Sequence, residues 1–289
     1  MNIYICTKPL QIMICMILCK NYDNTNLYVI DSFHNSKKIA NSPELKKYFK
    51  SISWFKTKKE AFFSAAVQNP DSIFIDSDVG VKNFIALCQL KIRSVRTEIN
   101  VYEEGLGTYR TDLVTNVIKK KISSIFGIGC NFGGCFLTKN VHVFDPSRYC
   151  DRIPSFKKKS IGINVNFSIW LHENKNKLVE VFSPGFEIIS SRDTKLAFLY
   201  LSDWNVNISL INKAKSLGCL FVKLHPHIKS DFHLESVDEY MIIPKSLPAE
   251  VLIILILEKF DILTVYHNNS SCIHYIKNER IISDEIIKI

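Results

Sequence analysis

Short apolar runs alternate with longer helical patterns almost from the first residue of this 289-residue chain, and that alternation predicts parallel sheets built from βαβ units. Strands are predicted at Asn2–Cys6, Leu27–Ile30, Ser51–Phe55, Ser72–Ile75, Ile99–Tyr102 and Val141–Phe144, with helices between most of them. After Pro154, a polar, basic stretch at Lys157–Lys159 and a helix near Ile169–Val181 lead into a second series. It comprises strand Leu196–Leu201, helix Ser209–Ser216, strands Cys219–Val222 and Tyr240–Ile243, helix Pro248–Phe260 and strand Ile262–Val265. The break near 150–160 divides the chain into domains 1–155 and 156–289. The expected fold class is α/β, with two Rossmann-like domains, parallel sheets and an interdomain cleft.

Composition narrows this little. A hydrophobic share of 47% supports a full core, and 37 Lys and Arg against 28 Asp and Glu give a net charge of +9. That balance favours an anionic partner: phosphate, nucleic acid or a membrane surface. Nine cysteines form no CxxC pair and read as reduced thiols of a cytosolic protein, including Cys130 and Cys135, which flank Asn131-Phe132-Gly133-Gly134. The apolar run Ile12–Cys19 lacks a basic flank before it and a cleavage site after it, so neither export nor a membrane span is expected. Residues 117–126, with Lys119–Lys121, pattern as a basic amphipathic helix. Two readings stand: contact with an anionic membrane surface, or a solvated basic face on a helix packed against its own domain.

Candidate chemistry gathers where predicted strands end. Lys223-Leu224-His225-Pro226-His227 follows Cys219–Val222; Pro226 stops the strand and biases His225 toward an extended backbone, and a lysine with an imidazole suits a phosphate. Strand Ile99–Tyr102 runs into Glu103-Glu104-Gly105-Leu106-Gly107, adjacent carboxylates before glycines that let backbone approach a ligand. Consecutive side chains alternate, so one glutamate is expected to face the cleft. Strand Ile262–Val265 leads to Ser270-Ser271, an anion site or a plain helix cap. Pro248 and Glu250 open a helix in an ordinary way. Asp76-Ser77-Asp78 has the letters of a metal-holding pair, but the two aspartates follow a strand and precede Val79-Gly80, so a turn with a helix cap is the preferred reading and no metal site is expected.

Taken in order, Glu103-Glu104-Gly105, His225-Pro226 and Ser270-Ser271 resemble the motifs of bacterial GT-B sialyltransferases, most closely the lipooligosaccharide sialyltransferases of glycosyltransferase family 52. The opening Thr7-Lys8-Pro9-Leu10-Gln11 is similar to that family's T-P-L-Q run, with Lys8 ahead of the proline. The resemblance spans nearly the whole chain, though each motif is two or three residues long. It implies Glu103 as general base with Glu104 as the substitute, Gly105 in the same motif, and His225 assisting departure of the donor phosphate. It also implies Lys223, Pro226, Ser270 and Ser271 around the nucleotide and Glu250 on its ribose. Many relatives carry aspartate at one acidic position, whereas this chain has two glutamates.

The implied activity is inverting, metal-independent transfer of sialic acid from CMP-sialic acid to a galactose-type hydroxyl of a bacterial surface glycan. No cofactor is implied, because the leaving group is a nucleoside monophosphate that needs only one phosphate stabilised. Transfer of another CMP-activated nonulosonic acid, or of Kdo, would use the same machinery. A non-catalytic nucleic-acid-binding protein is the reading from another class; it rests on charge alone, and no recognition module is present, so no nucleic-acid partner is expected. A catalytically dead scaffold is the third. The expected location is cytoplasmic, with peripheral contact at the inner membrane face left open, and a homodimer is left open by relatives that dimerise.

Overall fold

Apolar runs of four to six residues become parallel strands, and the amphipathic stretches between them become the crossovers, in a computed structural model that describes residues 1–189, 194–203, 206–225 and 240–286. The chain divides into two compact units: Met1–Ser32 with Ser36–Val165, and Phe33–Asn35 with Asn166–Ile289.

The first unit runs β1 (Asn2–Cys6), α1 (Pro9–Leu18), β2 (Thr25–Ile30), α2 (Ser36–Ala40), β3 (Ser51–Phe55), α3 (Lys58–Gln68), β4 (Ser72–Ile75), α4 (Val81–Arg93) and β5 (Glu98–Tyr102). It continues with α5 (Val117–Ile125), β6 (Thr138–Val143), α6 (Pro146–Arg152) and β7 (Ser160–Gly162). Its seven strands, all parallel, lie in the order β3-β2-β1-β4-β5-β6-β7. This is the doubly wound Rossmann order with one strand added, and it reverses between β1 and β4. Ile3, Ile5, Tyr28, Ile73, Ile75, Ile99, Val101 and Val141 fill the core.

The second unit runs α7 (Phe167–Phe182), β8 (Leu196–Leu201), α8 (Ile208–Lys215), β9 (Cys219–Lys223), β10 (Tyr240–Ile242), α9 (Ala249–Lys259), β11 (Ile262–His267), α10 (Ser271–Tyr275) and β12 (Ile281–Glu285). The sheet order β10-β9-β8-β11-β12, again parallel, reverses between β8 and β11. Both units are thus Rossmann-like.

The division between the units corrects the expected one. It falls at Val165/Asn166, ten residues after 155, because Ser160–Gly162 pairs with Val141–Val143 and belongs to the first sheet. β7 and β12 are additions to the predicted strands. The apolar run from Ile12 is part of α1, whose residues from Pro9 to Met16 are all buried. No helix among the described residues is long and apolar enough to cross a membrane.

Candidate active site

In doubly wound sheets, ligands bind outside the carboxyl ends of the strands, at the point where strand order reverses. In the first unit that point lies past Cys6 of β1 and Ile75 of β4. Chain leaves β1 through Thr7 and Lys8, both before Pro9 opens α1 at its first position, where a missing N–H costs nothing. The Thr7 hydroxyl donates to Asp76 Oδ2 at 2.8 Å, and the Lys58 ammonium pairs with the other oxygen of Asp76. Burial pushes the Asp76 carboxyl up, but the Lys58 charge, the hydrogen bonds from Lys58 and Thr7 and the Lys8 charge together hold it below the usual range.

One strand further out, β5 delivers the two glutamates, and the structure separates them. Glu103 is fully buried; Oε2 accepts from the Tyr109 hydroxyl and, at 2.7 Å, from the Phe144 N–H. Glu104 is partly exposed, and Oε2 pairs with the Lys8 ammonium at 2.8 Å. Two glycines make this possible in different ways. Gly105 has φ +119°, which a side chain would strain. Gly107 leaves room: a Cβ there would stand 2.6 Å from Glu104 Oε1. The loop is tied by the Glu104 N–H, which donates to the Thr108 hydroxyl at 2.9 Å.

Asp76 and Asp78 share a motif but not a role. Asp78 is fully buried and accepts from the Gly133 N–H, the Cys135 N–H and the Thr138 hydroxyl at 2.9, 2.9 and 2.6 Å. Burial raises its carboxyl, and those three bonds pull it part of the way back. It therefore anchors the loop before β6. It is not the helix cap expected from its position, since α4 is capped by Gly80 with no side-chain bond. Among the described residues, no group of three or more His, Cys, Asp or Glu side chains is arranged to hold a metal ion.

In the second unit the reversal lies past Leu201 of β8 and His267 of β11. There the Asn268 amide donates to Asp203 Oδ2 at 2.9 Å. Next along the sheet, β9 ends at Lys223, and the His225 N–H donates to Ser202 Oγ at 2.8 Å, which lays the His225 backbone across the end of β8. His225 itself is partly exposed. Lys223 is turned inward: its ammonium donates to the Lys245 carbonyl at 3.2 Å and is buried near Glu250. Burial lowers Lys223 to about 8 against the opposing pull of Glu250 and Cys272, and burial raises Glu250 against the pull of Lys223.

Ser270 caps α10, its hydroxyl 3.1 Å from Cys272 Sγ and its N–H donating to His267 Nδ1 at 3.2 Å. His267 Nε2 meets the Ser283 hydroxyl of β12 at 2.7 Å. Ser271, the first residue of α10, is partly exposed. Pro226 and His227 lie outside the described residues.

Within the first unit the structure therefore brings Glu104 together with Lys8, and within the second it brings Lys223 together with Glu250. Lys8 as the partner of Glu104, Asp76 with Thr7 and Lys58, and Asp203 with Asn268 were not singled out from sequence. Each is a polar residue one to three places past a strand end, and that position was the available signal.

No family model matches the chain, and no curated protein matches it. Among solved structures, that of D-2-hydroxyisocaproate dehydrogenase aligns with 98% of this chain and 70% of its own, at 9% identity and a TM-score of 0.19. A likeness of that size carries no argument about function.

Proposed function

We propose that the protein is an inverting, metal-independent glycosyltransferase that moves sialic acid from CMP-sialic acid to a galactose-type hydroxyl of a bacterial surface glycan. The observation that supports this reading is the setting of three short motifs. Glu103-Glu104-Gly105, Lys223 to His225 and Ser270-Ser271 all stand at or just past the carboxyl ends of parallel strands, in two units with Rossmann strand order. Letters so brief gain weight from that setting.

We assign the base to Glu104. Glu103, the family's expected base, is buried with a carboxylate already bonded to Tyr109 and Phe144, whereas Glu104 is reachable and held by Lys8. Glu104 takes the proton from the acceptor hydroxyl as that oxygen bonds to the anomeric carbon of the donor. The bond from that carbon to the CMP oxygen breaks on the opposite face, so configuration inverts. His225 supplies a proton or a positive charge to the departing phosphate, and the Ser270 and Ser271 hydroxyls donate to it. Lys223 and Glu250 act beneath the nucleotide, one as a buried positive charge near the phosphate and the other as its counter-ion. The enzyme works in the cytoplasm, where the acceptor is presented on a lipid at the inner membrane face.

The test is transfer from labelled CMP-sialic acid to a panel of galactosides with EDTA present. Sialylated product is expected, lost on Glu104→Gln and His225→Ala and retained in part by Glu103→Gln. Absence of both transfer and donor hydrolysis overturns the proposal; loss in Glu103→Gln with retention in Glu104→Gln overturns the choice of base.

A further inference from the structure

Helix α5 is amphipathic in the sense opposite to that of an ordinary surface helix. None of its residues is buried. Ile118, Ile122 and Ile125, with Phe126 just beyond, fall on one stripe roughly 100° wide at helical spacing. All four are exposed, from 49% for Ile122 to 79% for Ile125. By the same spacing Lys119 and Lys121 flank the stripe, one on each side. The face bearing Lys120 and Ser124 is the one turned toward its own unit, across a cavity of about 490 Å³ that Val117 and Lys121 also line and that is shared with Cys130, Asn131 and Ser155; none of Ile118, Ile122 and Ile125 lines it. The polar side lies inward and the apolar side outward.

The apolar surface continues past the helix. Phe136, itself 62% exposed, donates its N–H to the Gly127 carbonyl at 3.0 Å, and its ring lies 6.0 Å from that of Phe84 on α4, where Ile85 is half exposed. Along these segments charge has one sign: no Asp or Glu occurs between Asp112 and Asp145, nor within α4 from Val81 to Arg93, while Lys82, Lys91, Arg93 and Lys119–Lys121 do.

We propose that α5, with Phe136 and the adjoining part of α4, docks on an anionic lipid bilayer. The isoleucine stripe enters the headgroup boundary, and Lys119 and Lys121 lay their stems along it to reach lipid phosphates. A second copy meeting this one through the same stripe would set the lysines of both against each other. A polynucleotide would satisfy the lysines and leave the isoleucines in water. A bilayer with negative headgroups satisfies both features at once. This surface is independent of the transferase reading, and its test uses neither donor nor acceptor.

The full chain is sedimented with vesicles of phosphatidylcholine alone and of phosphatidylcholine mixed with phosphatidylglycerol. The mixed vesicles should bind about thirtyfold more tightly, as expected when Lys119 and Lys121 each add about a fivefold preference. Ile122→Ser with Ile125→Ser should weaken binding to mixed vesicles about tenfold or more, and Lys119→Glu with Lys121→Glu should abolish the preference between the two vesicles. These side chains are exposed, so circular dichroism and melting should match the parent. Four results overturn the proposal: equal or absent binding to the two vesicles; binding that neither pair of substitutions moves; dimerisation without lipid that the isoleucine pair abolishes; or binding to a polynucleotide with none to vesicles.

Discussion

Methionine in place of Lys223 should change how the stability of the second unit responds to alkali. The ammonium of Lys223 is buried at the end of β9, on the Lys245 carbonyl and near Glu250. Burial lowers it from 10.5 to about 8. The difference, 10.5 − 8 = 2.5, at 1.36 kcal/mol per unit, corresponds to about 3 kcal/mol. Between those pH values the unfolded chain keeps a proton that the folded chain has lost. The contribution from Lys223 therefore rises with pH through the window, is complete above 10.5 and is lost as pH falls through 8.

Methionine does not titrate, so from below pH 8 to near 10.5 the parent should gain about 3 kcal/mol on Lys223→Met. Glu250, left in the variant without its cation, shifts in the direction that widens the gap. Other lysines and tyrosines are common to both proteins and cancel. Urea unfolding is followed by fluorescence in a Trp54→Phe background, which removes the tryptophan of the first unit and leaves Trp170 of α7 to report on the second. A difference between parent and variant that stays constant across the window refutes the reasoning.

Three further outcomes are expected. Asp78→Ala leaves two buried backbone N–H groups and the Thr138 hydroxyl without their acceptor, and should cost the first unit about 4 kcal/mol in urea unfolding, with Asp78→Asn recovering part. Gly107→Ala pushes the Glu104 carboxylate off Lys8 and should lower transfer from CMP-sialic acid about a hundredfold with the melting temperature little changed. His142, which burial and then the Lys20 charge lower to about 4, should show no imidazole titration by NMR near 6.5. Its stabilising contribution, present above 6.5, should be lost as pH falls through 4.

The strands were legible because parallel strands buried on both faces read as unbroken apolar runs. Asn2–Cys6, Ser51–Phe55, Ser72–Ile75 and Leu196–Leu201 begin and end where the pattern says. β7 and β12 carry no such run. The first is three residues long, and the second, Ile281–Glu285, is largely exposed with Ser, Asp and Glu in its sequence, as suits a sheet edge.

The site was legible in its letters and less so in its roles. Alternation along an extended segment says that Glu103 and Glu104 part company, but which one turns inward depends on Phe144, reached only through the fold. Lys8 finds Glu104 across 96 positions of chain. Asp76 and Asp78 look like one motif until the 133–138 loop claims both oxygens of the second. Local sequence names such residues; long-range pairing assigns their partners.

In both sheets the first strand made lies inside the sheet, with a partner on each edge. β1 finds β2 by residue 25, yet its other edge has no partner until Ser72, and β8 likewise takes β9 before β11. During synthesis an apolar strand edge, with Ile3 and Ile5 beside it, thus stands open until Ser72 and the rest of β4 have been made. The interval between β2 and β4 is the stretch in which a slowed ribosome or a missing chaperone would do most harm to this chain.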